Sequence, residues 1–470
     1  MKHELWTSGN CVSLEEILNA RENRVKIQQK MLQKAPTCLL SFTLNIPGPV
    51  KVFPYTKWAY EVGSSIISKG VSLLNGDVLE QFEAKNETGW EGFFALNLPP
   101  EEIKTYLLEQ EEHHPLGRLF DFDVLRTDGS KLSRQELGFP ERTCLLCGNP
   151  AFLCGRSRTH SAQELLAKEI EIMENFFVFR LSNHIGLLMQ KALFYEVNTS
   201  LKPGLVDRLH NGSHKDMRLS TFINSAYSLT DYFCQCVKEG LSCDCSKKEL
   251  PLLFQKLRGI GKQAEKNMLF ATQGINTHKG IVFSGGILCA AIGYYISTNS
   301  KDISSENFLL SLPEICRCML PELLSDYLTL TPDTAKTNGE KLYLKYKITG
   351  IRGEAKEGFP LLFNVGFPLF QAVLKKGFSL WQAGLITLLH YIACTEDTNL
   401  IIRSDYQLAC KIQKDLQQFL AHATYEEHLS ILPKLDAFFV SRNISPGGSA
   451  DMLALTYFLY FIQNIPCPFL

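Results

Sequence analysis

The pattern of hydrophobic and polar positions changes near residue 180. Before that point, residues 38–46 (CLLSFTLNI) are apolar and β-favouring and stop at a Pro-Gly-Pro sequence. Residues 119–125 (LFDFDVL) alternate apolar and acidic positions, the period of two typical of a half-buried strand. Residues 14–34 have the apolar spacing of a helix. The N-terminal part is therefore predicted to mix helices and strands.

Beyond residue 180, long helical patterns dominate and no array of alternating strands is evident. The candidate helices are 183–197, 219–237, 280–296, 370–394, 406–423 and 450–465. We therefore predict a multidomain protein, with a mixed α/β domain at 1–180 and an all-α domain at 181–470. Residues 164–180 are expected to end the first domain.

Composition narrows the function classes. A chain of 470 residues is about three times a typical domain, so two or three domains are expected. The net charge of -1 provides no overall positive charge that would attract nucleic acid or a membrane surface. The most apolar run, 280–296, is shorter than the ~20 residues of a membrane span and predicts a buried core helix. The start of the chain lacks an apolar export segment, and an odd count of 15 cysteines favours reduced thiols, so we expect a cytoplasmic protein.

Two carboxylates stand out in the predicted strand. Asp121 and Asp123 are two positions apart, so both point to the same face of the strand. Such a pair can hold Mg²⁺ against a phosphate chain, and Arg118 can contact phosphate. The alternative is a solvated strand face, which a short acidic motif alone does not exclude.

A cysteine-rich segment follows. Cys144, Cys147, Cys154 and His160 have the spacing C-x2-C-x6-C-x5-H, which can bind zinc. The alternative is buried thiols beside a basic, phosphate-binding loop that carries Arg156 and Arg158. Zinc sites usually place their two ligand pairs further apart, so the spacing leaves both interpretations open.

These N-terminal motifs resemble the apo-citrate lyase phosphoribosyl-dephospho-coenzyme A transferase family. The matching segments are 21–24 (RENR), 45–51 (NIPGPVK), 114–124 (HPLGRLFDFDV), 133–138 (SRQELG) and the cysteine-rich segment. The resemblance implies a nucleotidyltransferase-like fold and transfer of a prosthetic group to a serine of the citrate lyase acyl carrier protein, with release of pyrophosphate. It also implies that Asp121 and Asp123 hold Mg²⁺, while Arg118, Arg156 and Arg158 neutralise phosphate.

The second half contains six short polar segments rich in Gly, Lys, Asp, Asn and His. Lysine and arginine bind phosphate, aspartate holds a metal or a hydroxyl, and glycine lets the backbone approach a ligand closely. Such a mixture indicates a site for a charged small molecule. The segments are 195–208 (YEVNTSLKPGLVDR), 211–217 (NGSHKDM), 274–280 (GINTHKG), 350–360 (GIRGEAKEGFP), 396–403 (EDTNLIIR) and 445–453 (SPGGSADML).

In this order the segments resemble the triphosphoribosyl-dephospho-coenzyme A synthase family. The resemblance implies that the 2′-hydroxyl of 3′-dephospho-coenzyme A attacks C1 of the ATP ribose, so that adenine leaves and the triphosphate is retained. Carboxylates near C1 would stabilise an oxocarbenium-like transition state, and one would move the hydroxyl proton. Mg²⁺ and basic side chains would neutralise the triphosphate.

Candidate site residues follow from this resemblance. The acidic set, with Asp207 and Asp397 as candidate Mg²⁺ ligands and the general base left open, is Asp207, Asp216, Asp397 and Asp451. The basic set for phosphates is Lys202, Arg208, His278, Lys279, Arg352 and Arg403. Residues expected to bind a phosphate at a helix N-terminus, or to orient hydroxyls and the base, are Gly447, Gly448, Asn276 and Asn399. Alternatively, Asp216 and Asp451 are helix N-caps and His278 is a structural hydrogen-bonding residue.

Together the two resemblances imply a fusion of two consecutive transferases, which raises the local concentration of the intermediate beside its consumer. Two alternatives remain open from the sequence. The prosthetic group can serve a malonate decarboxylase carrier, or the N-terminal domain can act only as a docking module for the carrier protein.

Overall fold

The computed structural model describes residues 7–243, 246–299 and 306–464. The described chain divides into two compact units, one ending at Arg180 and one beginning at Leu181. This division falls inside a single long helix, Ala162–Asn198. We call the two parts the N-terminal and the C-terminal unit.

The N-terminal unit mixes helices and strands, as predicted. Its elements are α1 (Leu14–Leu32), β1 (Cys38–Leu44), α2 (Pro54–Leu73), β2 (Val78–Asn86), β3 (Gly89–Leu96), α3 (Pro100–His113), β4 (Phe120–Arg126) and α4 (Ala151–Ser157). The strands form one antiparallel sheet in the order β2-β3-β1-β4. The predicted helix 14–34 and the strands at 38–46 and 119–125 are confirmed as α1, β1 and β4, with ends shifted by one to two residues.

Strand β4 carries its two aspartates beside polar positions of β1. The antiparallel register pairs Thr43 with Asp121 and Ser41 with Asp123. The alternate residues of β4, Phe120 among them, are fully buried. The apolar face therefore fixes the register of the strand, and the carboxylates come to lie on its other face.

The C-terminal unit contains only helices among its described residues, as predicted. They are α5 (Ala162–Asn198), α6 (Leu219–Ser228), α7 (Thr230–Leu241), α8 (Leu250–Ala271), α9 (Lys279–Asn299), α10 (Glu306–Met319), α11 (Ser325–Leu328), α12 (Asn338–Tyr346), α13 (Gly350–Lys356), α14 (Phe367–Lys375), α15 (Leu380–Cys394), α16 (Thr398–Arg403), α17 (Tyr406–His422), α18 (Tyr425–Ser430), α19 (Leu432–Ser441) and α20 (Gly447–Gln463). A single π turn, Leu362–Gly366, precedes α14.

Helix α9 is the core of this unit. By length and composition alone this helix could cross a membrane, but 89% of its apolar stretch is buried inside the protein. Helix α7 packs against it so closely that a Cβ at Gly240 or Gly293 would collide with the facing backbone. The predicted buried core helix is therefore confirmed.

Four predicted helix boundaries are wrong. The predicted helix 183–197 is only the C-terminal part of α5, which begins at Ala162. The predicted helix 219–237 is two helices, because α6 ends at Ser228 and α7 begins at Thr230. The predicted helix 370–394 is broken at Gly377, whose φ of 91° ends α14 before Ser379 caps α15. The last helix begins at Gly447, three residues earlier than predicted, because a carboxylate outside the helix binds its first N–H groups.

Candidate active sites

In the N-terminal unit, Asp121 lines a small cleft of about 180 Å³ with three cationic residues. These are Arg21, Arg24 and Lys51. Arg24 donates from Nε to Glu91 Oε1 at 2.8 Å, and Lys51 donates to the backbone carbonyl of Ile46. The cleft therefore combines the carboxyl groups of Asp121 and Glu91 with a cationic wall, as a site for a metal-bound phosphate chain requires.

The two aspartates of β4 interact, as their spacing predicts, but only one of them lines the cleft. Burial and then the neighbouring Asp123 carboxylate raise the pKa of Asp121, against the opposing effect of Lys131 and Arg142. Asp123 Oδ1 is ion-paired with Lys131 Nζ at 2.5 Å. Asp121 is therefore the more available metal ligand of the pair.

The three arginines assigned to phosphate lie elsewhere. Arg118 donates to the carbonyl of Thr143, and Arg156 and Arg158 are exposed on α4 and at its C-terminal cap. None of them is among the described residues that line the Asp121 cleft. The cations in that cleft belong to the segments 21–24 and 45–51. The charged residues of those segments could have identified the phosphate-binding side chains from the sequence.

Glu169 is a further carboxyl that the sequence analysis missed. It lies in the N-terminal half of α5 and is buried, with one carboxyl oxygen that has no hydrogen-bond partner in the described part of the chain. Burial raises its pKa to about 8, although Lys51 and Arg118 nearby oppose the shift. This carboxyl group can therefore gain or lose a proton near neutral pH.

In the C-terminal unit, a tight loop after α5 buries two of the predicted residues. Asp207 accepts hydrogen bonds from the backbone N–H groups of Lys202 at 2.9 Å and Leu209 at 2.7 Å. The Lys202 ammonium is ion-paired with Glu196, and both side chains are almost completely buried. Asp207 therefore shapes the loop backbone, which favours a structural role over the metal ligand expected from the sequence.

Asp451 is the least compensated carboxyl group of this unit. No hydrogen bond or ion pair joins it to any residue that the structure describes. Burial, followed by the carboxylates of Glu196 and Asp397, raises its pKa well above the usual value. Its side chain packs against Gly280 at the start of α9, where a Cβ would collide with Oδ2. It keeps some solvent exposure.

His278 lies close to this carboxyl cluster and is neutral. Its Nδ1 is 2.7 Å from Ser225 Oγ, and its Nε2 is buried without a hydrogen-bond partner among the residues that the structure describes. Burial and the nearby Lys202 lower its pKa to about 3. His278 therefore supplies no positive charge at neutral pH, contrary to its place in the predicted basic set.

Asp397 caps two helices at once. Its Oδ1 accepts from the backbone N–H groups of Asn399 and Leu400, at 3.0 and 3.2 Å, at the start of α16. Its Oδ2 accepts from the backbone N–H and hydroxyl of Ser449, at 2.9 and 3.1 Å, at the start of α20. Four donors occupy the carboxylate, which favours a structural role over the predicted metal ligand.

The close approach of Asp397 and its neighbour Asn399 to the start of α20 explains why Gly447 and Gly448 have no side chain. A Cβ at Gly448 would lie 3.1 Å from the Asp397 carboxyl carbon, and one at Gly447 would lie 2.9 Å from the Asn399 amide nitrogen. The N-terminus of α20 thus holds a carboxylate where a phosphate was predicted. Asp451 lies inside this helix, so the alternative that it is an N-cap is wrong.

Arg403 belongs to a separate polar cluster. Its guanidinium lies 3.2 Å from His214 Nδ1, and His214 Nε2 lies 2.8 Å from Ser445 Oγ. Burial and then Arg403 lower the pKa of His214 to about 4. Asp216 is exposed at 4.0 Å from this ring, and because α6 is capped by Arg218, Asp216 is not the N-cap.

A larger cavity of about 900 Å³ opens beside Gly280. Four basic residues line it, Arg258, Lys262, Lys279 and Arg352, together with four acidic ones, Glu265, Glu322, Asp326 and Glu340. Arg352 binds Asp326 at 2.8 Å. Of the remaining predicted residues, Arg208 and Asn276 are exposed. The structure thus brings Lys279 and Arg352 to one cavity and leaves Arg208, Asp216 and Asn276 at the surface.

Sequence reasoning missed Glu196, Arg258 and Lys262. Glu196 belongs to the polar segment 195–208, but it follows a helical pattern and resembles a helix-surface residue. Arg258 and Lys262 are four positions apart on α8, so they share a face. That spacing was the available signal.

Comparison with known proteins finds a matching family model for each half of the chain. A family model for apo-citrate lyase phosphoribosyl-dephospho-CoA transferase (CitX) matches residues 12–176. A family model for ATP:dephospho-CoA triphosphoribosyl transferase (CitG) matches residues 182–467. A 2-(5''-triphosphoribosyl)-3'-dephosphocoenzyme-A synthase of Haemophilus ducreyi is 36% identical over 68% of this chain and its own full length.

Proteins with both halves are also similar over almost the whole chain. Protein CitXG of Haemophilus influenzae is 36% identical, covering 97% of this chain and 98% of its own. Protein CitXG of Leuconostoc mesenteroides subsp. cremoris is 34% identical over the same shares. With a transferase family in each half, in the same order, the chain is a bifunctional transferase that belongs to the CitXG family.

Proposed function

We propose that the C-terminal unit makes 2′-(5″-triphosphoribosyl)-3′-dephospho-CoA from ATP and 3′-dephospho-CoA, releasing adenine. The N-terminal unit then transfers the phosphoribosyl-dephospho-CoA group to a serine of the citrate lyase acyl carrier protein and releases pyrophosphate. Both steps take place in the cytoplasm. The names of the two matching families support this order of reactions.

The observation that carries the first reaction is the uncompensated Asp451. The raised pKa favours the protonated form of this carboxyl group. In the proposed mechanism Asp451 donates this proton to the departing adenine. It then takes the proton of the 2′-hydroxyl as the new bond to C1 forms, so no net proton is consumed.

The neighbouring groups suit the rest of the transition state. Glu196, whose charge is balanced by Lys202, can stabilise positive charge at C1 of the ribose. The cavity beside Gly280 can take the triphosphate on Arg258 and Lys262, which share one face of α8. Lys279 and Arg352 in the same cavity are ion-paired with Glu265 and Asp326. The donors on Asp207 and Asp397 leave these carboxylates poorly suited to Mg²⁺.

For the second reaction, Asp121 is the residue that fits Mg²⁺. Bound there, the ion would neutralise charge on the triphosphate, in the manner of nucleotidyltransferases. The residues of the chain itself supply the rest, because Arg21, Arg24 and Lys51 bind phosphate oxygens in the same cleft. We propose Glu169, beside Lys51, as the base for the carrier serine, because its raised pKa lets it accept a proton.

The test uses the purified chain with ATP, Mg²⁺ and 3′-dephospho-CoA, followed by chromatography and mass spectrometry. Adenine release that depends on dephospho-CoA, with a product equal in mass to the two substrates minus adenine, is the expected result. Adenine release without dephospho-CoA would refute the first reaction. Addition of the apo-carriers of citrate lyase and of malonate decarboxylase then identifies the acceptor, and pyrophosphate release excludes a docking-only N-terminal unit.

A further inference from the structure

The cysteine-rich segment brings four metal-ligating side chains together. The ligand atoms of Cys144, Cys147, Cys154 and His160 all lie within 4.8 Å of one another. The sulfurs of Cys147 and Cys154 are 3.4 Å apart, far beyond the ~2.05 Å of a disulfide. Four tetrahedral ligands around zinc, with Zn–S bonds of about 2.3 Å, have separations of roughly 3.8 Å. The observed spacing therefore suits a shared ion.

The local backbone presents these ligands from two sides. Cys144 and Cys147 lie on a tight turn, closed by a hydrogen bond from Gly148 N–H to the Cys144 carbonyl at 3.3 Å. The left-handed φ of 74° at Gly148 lets the chain reverse there. Cys154 lies on α4, and the left-handed Arg158 turns the chain back so that His160 approaches the cluster.

The segment has almost no hydrophobic core of its own. In residues 143–160, all of which the structure describes, only Cys144 is buried. The large apolar side chains of Phe152 and Leu153 are about half exposed. A segment this polar needs another source of folding free energy, and binding of a metal by preformed ligands is one such source.

The Nε2 of His160 is a further indication, because it is buried and has no hydrogen-bond partner among the described residues, while the His160 side chain also interacts with the Cys147 thiol. A buried ring nitrogen left unpaired costs free energy, whereas a lone pair directed at a metal compensates that cost. Three sulfurs and one imidazole nitrogen are a ligand set for zinc, because Mg²⁺ and Ca²⁺ prefer oxygen and iron–sulfur clusters usually take four cysteines. With four protein ligands the site is closed, which is typical of structural zinc.

We propose that Cys144, Cys147, Cys154 and His160 bind one structural Zn²⁺ that orders residues 143–160. This segment contacts the beginning of β4, because Arg118 donates to the Thr143 carbonyl. The adjacent Arg142 donates to the Phe120 carbonyl at 2.9 Å. The zinc would therefore hold the cysteine-rich segment beside the strand that carries Asp121. Its role is to position the segment, and no step of the transfer passes through the ion.

The test is metal analysis of the purified full-length chain after gel filtration, which needs no variant. About one zinc per chain is expected, and Co²⁺ exchanged into the site should give the thiolate charge-transfer and intense d–d bands of a tetrahedral thiolate site. Protein that takes up neither ion when both are supplied, or that contains iron with inorganic sulfide, would refute the proposal.

Variants locate the ion. Cys147→Ser combined with Cys154→Ser should reduce the zinc content at least tenfold and make residues 143–160 sensitive to protease. Cys11→Ser, which changes an exposed thiol of the same unit, is the matched control and should retain the zinc. Zinc retained at full occupancy in the double variant would place the ion elsewhere and overturn the assignment.

Discussion

Asp121 in the N-terminal unit and Asp451 in the C-terminal unit are both partly buried acids, but their surroundings differ. Burial and a carboxylate neighbour raise the pKa of Asp121, but Lys131 and Arg142 oppose the shift. Around Asp451, the principal influences are burial and two more carboxylates, and all of them raise its pKa. Nearby cations therefore favour the ionised form of Asp121, which is the form that a metal ligand requires, whereas the carboxylates around Asp451 favour its protonated form.

The largest effect is expected from Asp451→Asn, which keeps the shape and removes the transferable proton. Loss of a general acid and base should lower kcat for adenine release by about 10²–10⁴-fold. Transfer to the carrier from supplied intermediate should continue. Asp415→Asn on the exposed face of α17 is the control, and a loss smaller than tenfold in a folded Asp451 variant would contradict the assigned role.

Asp121→Ala should give the converse result. Carrier transfer should fall by about 10²–10³-fold, because electrostatic stabilisation of the phosphate chain is lost, while adenine release is retained. Separate assays of the two half-reactions measure this split. Loss of both activities in the same variant would show that the change disrupts the protein more widely.

Asp397→Ala tests stability instead of catalysis. The change leaves donors at two helix N-termini without their partner, so the free energy of unfolding should fall by about 2–4 kcal/mol. The matched control is Asp405→Ala, because Asp405 caps only α17 and is exposed, and about 1 kcal/mol is expected there. Urea unfolding followed by circular dichroism compares the two, and equal losses would argue against the double cap.

The smallest expected effect is the contribution of His214 to the pH dependence of folding stability. Its pKa is about 4 in the folded protein and about 6.5 when unfolded, so between these values the unfolded chain binds a proton that the folded chain does not. This group therefore lowers stability progressively as the pH falls from 6.5 to 4. His214→Gln should remove that contribution. Between pH 6.5 and pH 4 the variant should therefore lose ~1–3 kcal/mol less of its free energy of unfolding than the wild type.

The measurement for His214 is the midpoint of urea unfolding at a series of pH values. The groups facing this ring are Arg403, Ser445 and the exposed Asp216, and they stay unchanged in the variant. The exposed His422, replaced in the same way, is the control. Parallel pH curves for wild type and His214→Gln would contradict the prediction.

Local patterns gave reliable predictions where one element decided the outcome. The alternation in LFDFDVL correctly predicted β4, because apolar burial fixes which face the two aspartates occupy. The apolar run of α9 correctly predicted a core helix. Helix ends were less reliable, since Gly377 and the carboxylate of Asp397 decide where α14 ends and where α20 begins.

The roles of individual site residues were harder to predict. Asp397 and Asp451 come from neighbouring polar segments and look equivalent in sequence, yet one accepts four hydrogen bonds and the other none from the residues described. Glu196 looked like a helix-surface residue until folding paired it with Lys202. Such differences depend on partners that are distant in the chain.

The sequence by itself determined the two transferase families, the division into an α/β part and a helical part, and the segments from which the sites are built. Those properties reside in the order of short motifs and in hydrophobic periodicity, which are local. Only the tertiary structure decided which carboxyl groups are satisfied, which histidines are neutral and which cations share a cleft with Asp121. Charge state and hydrogen bonding depend on burial and on neighbours brought together from distant helices, and these exist only once the chain has folded.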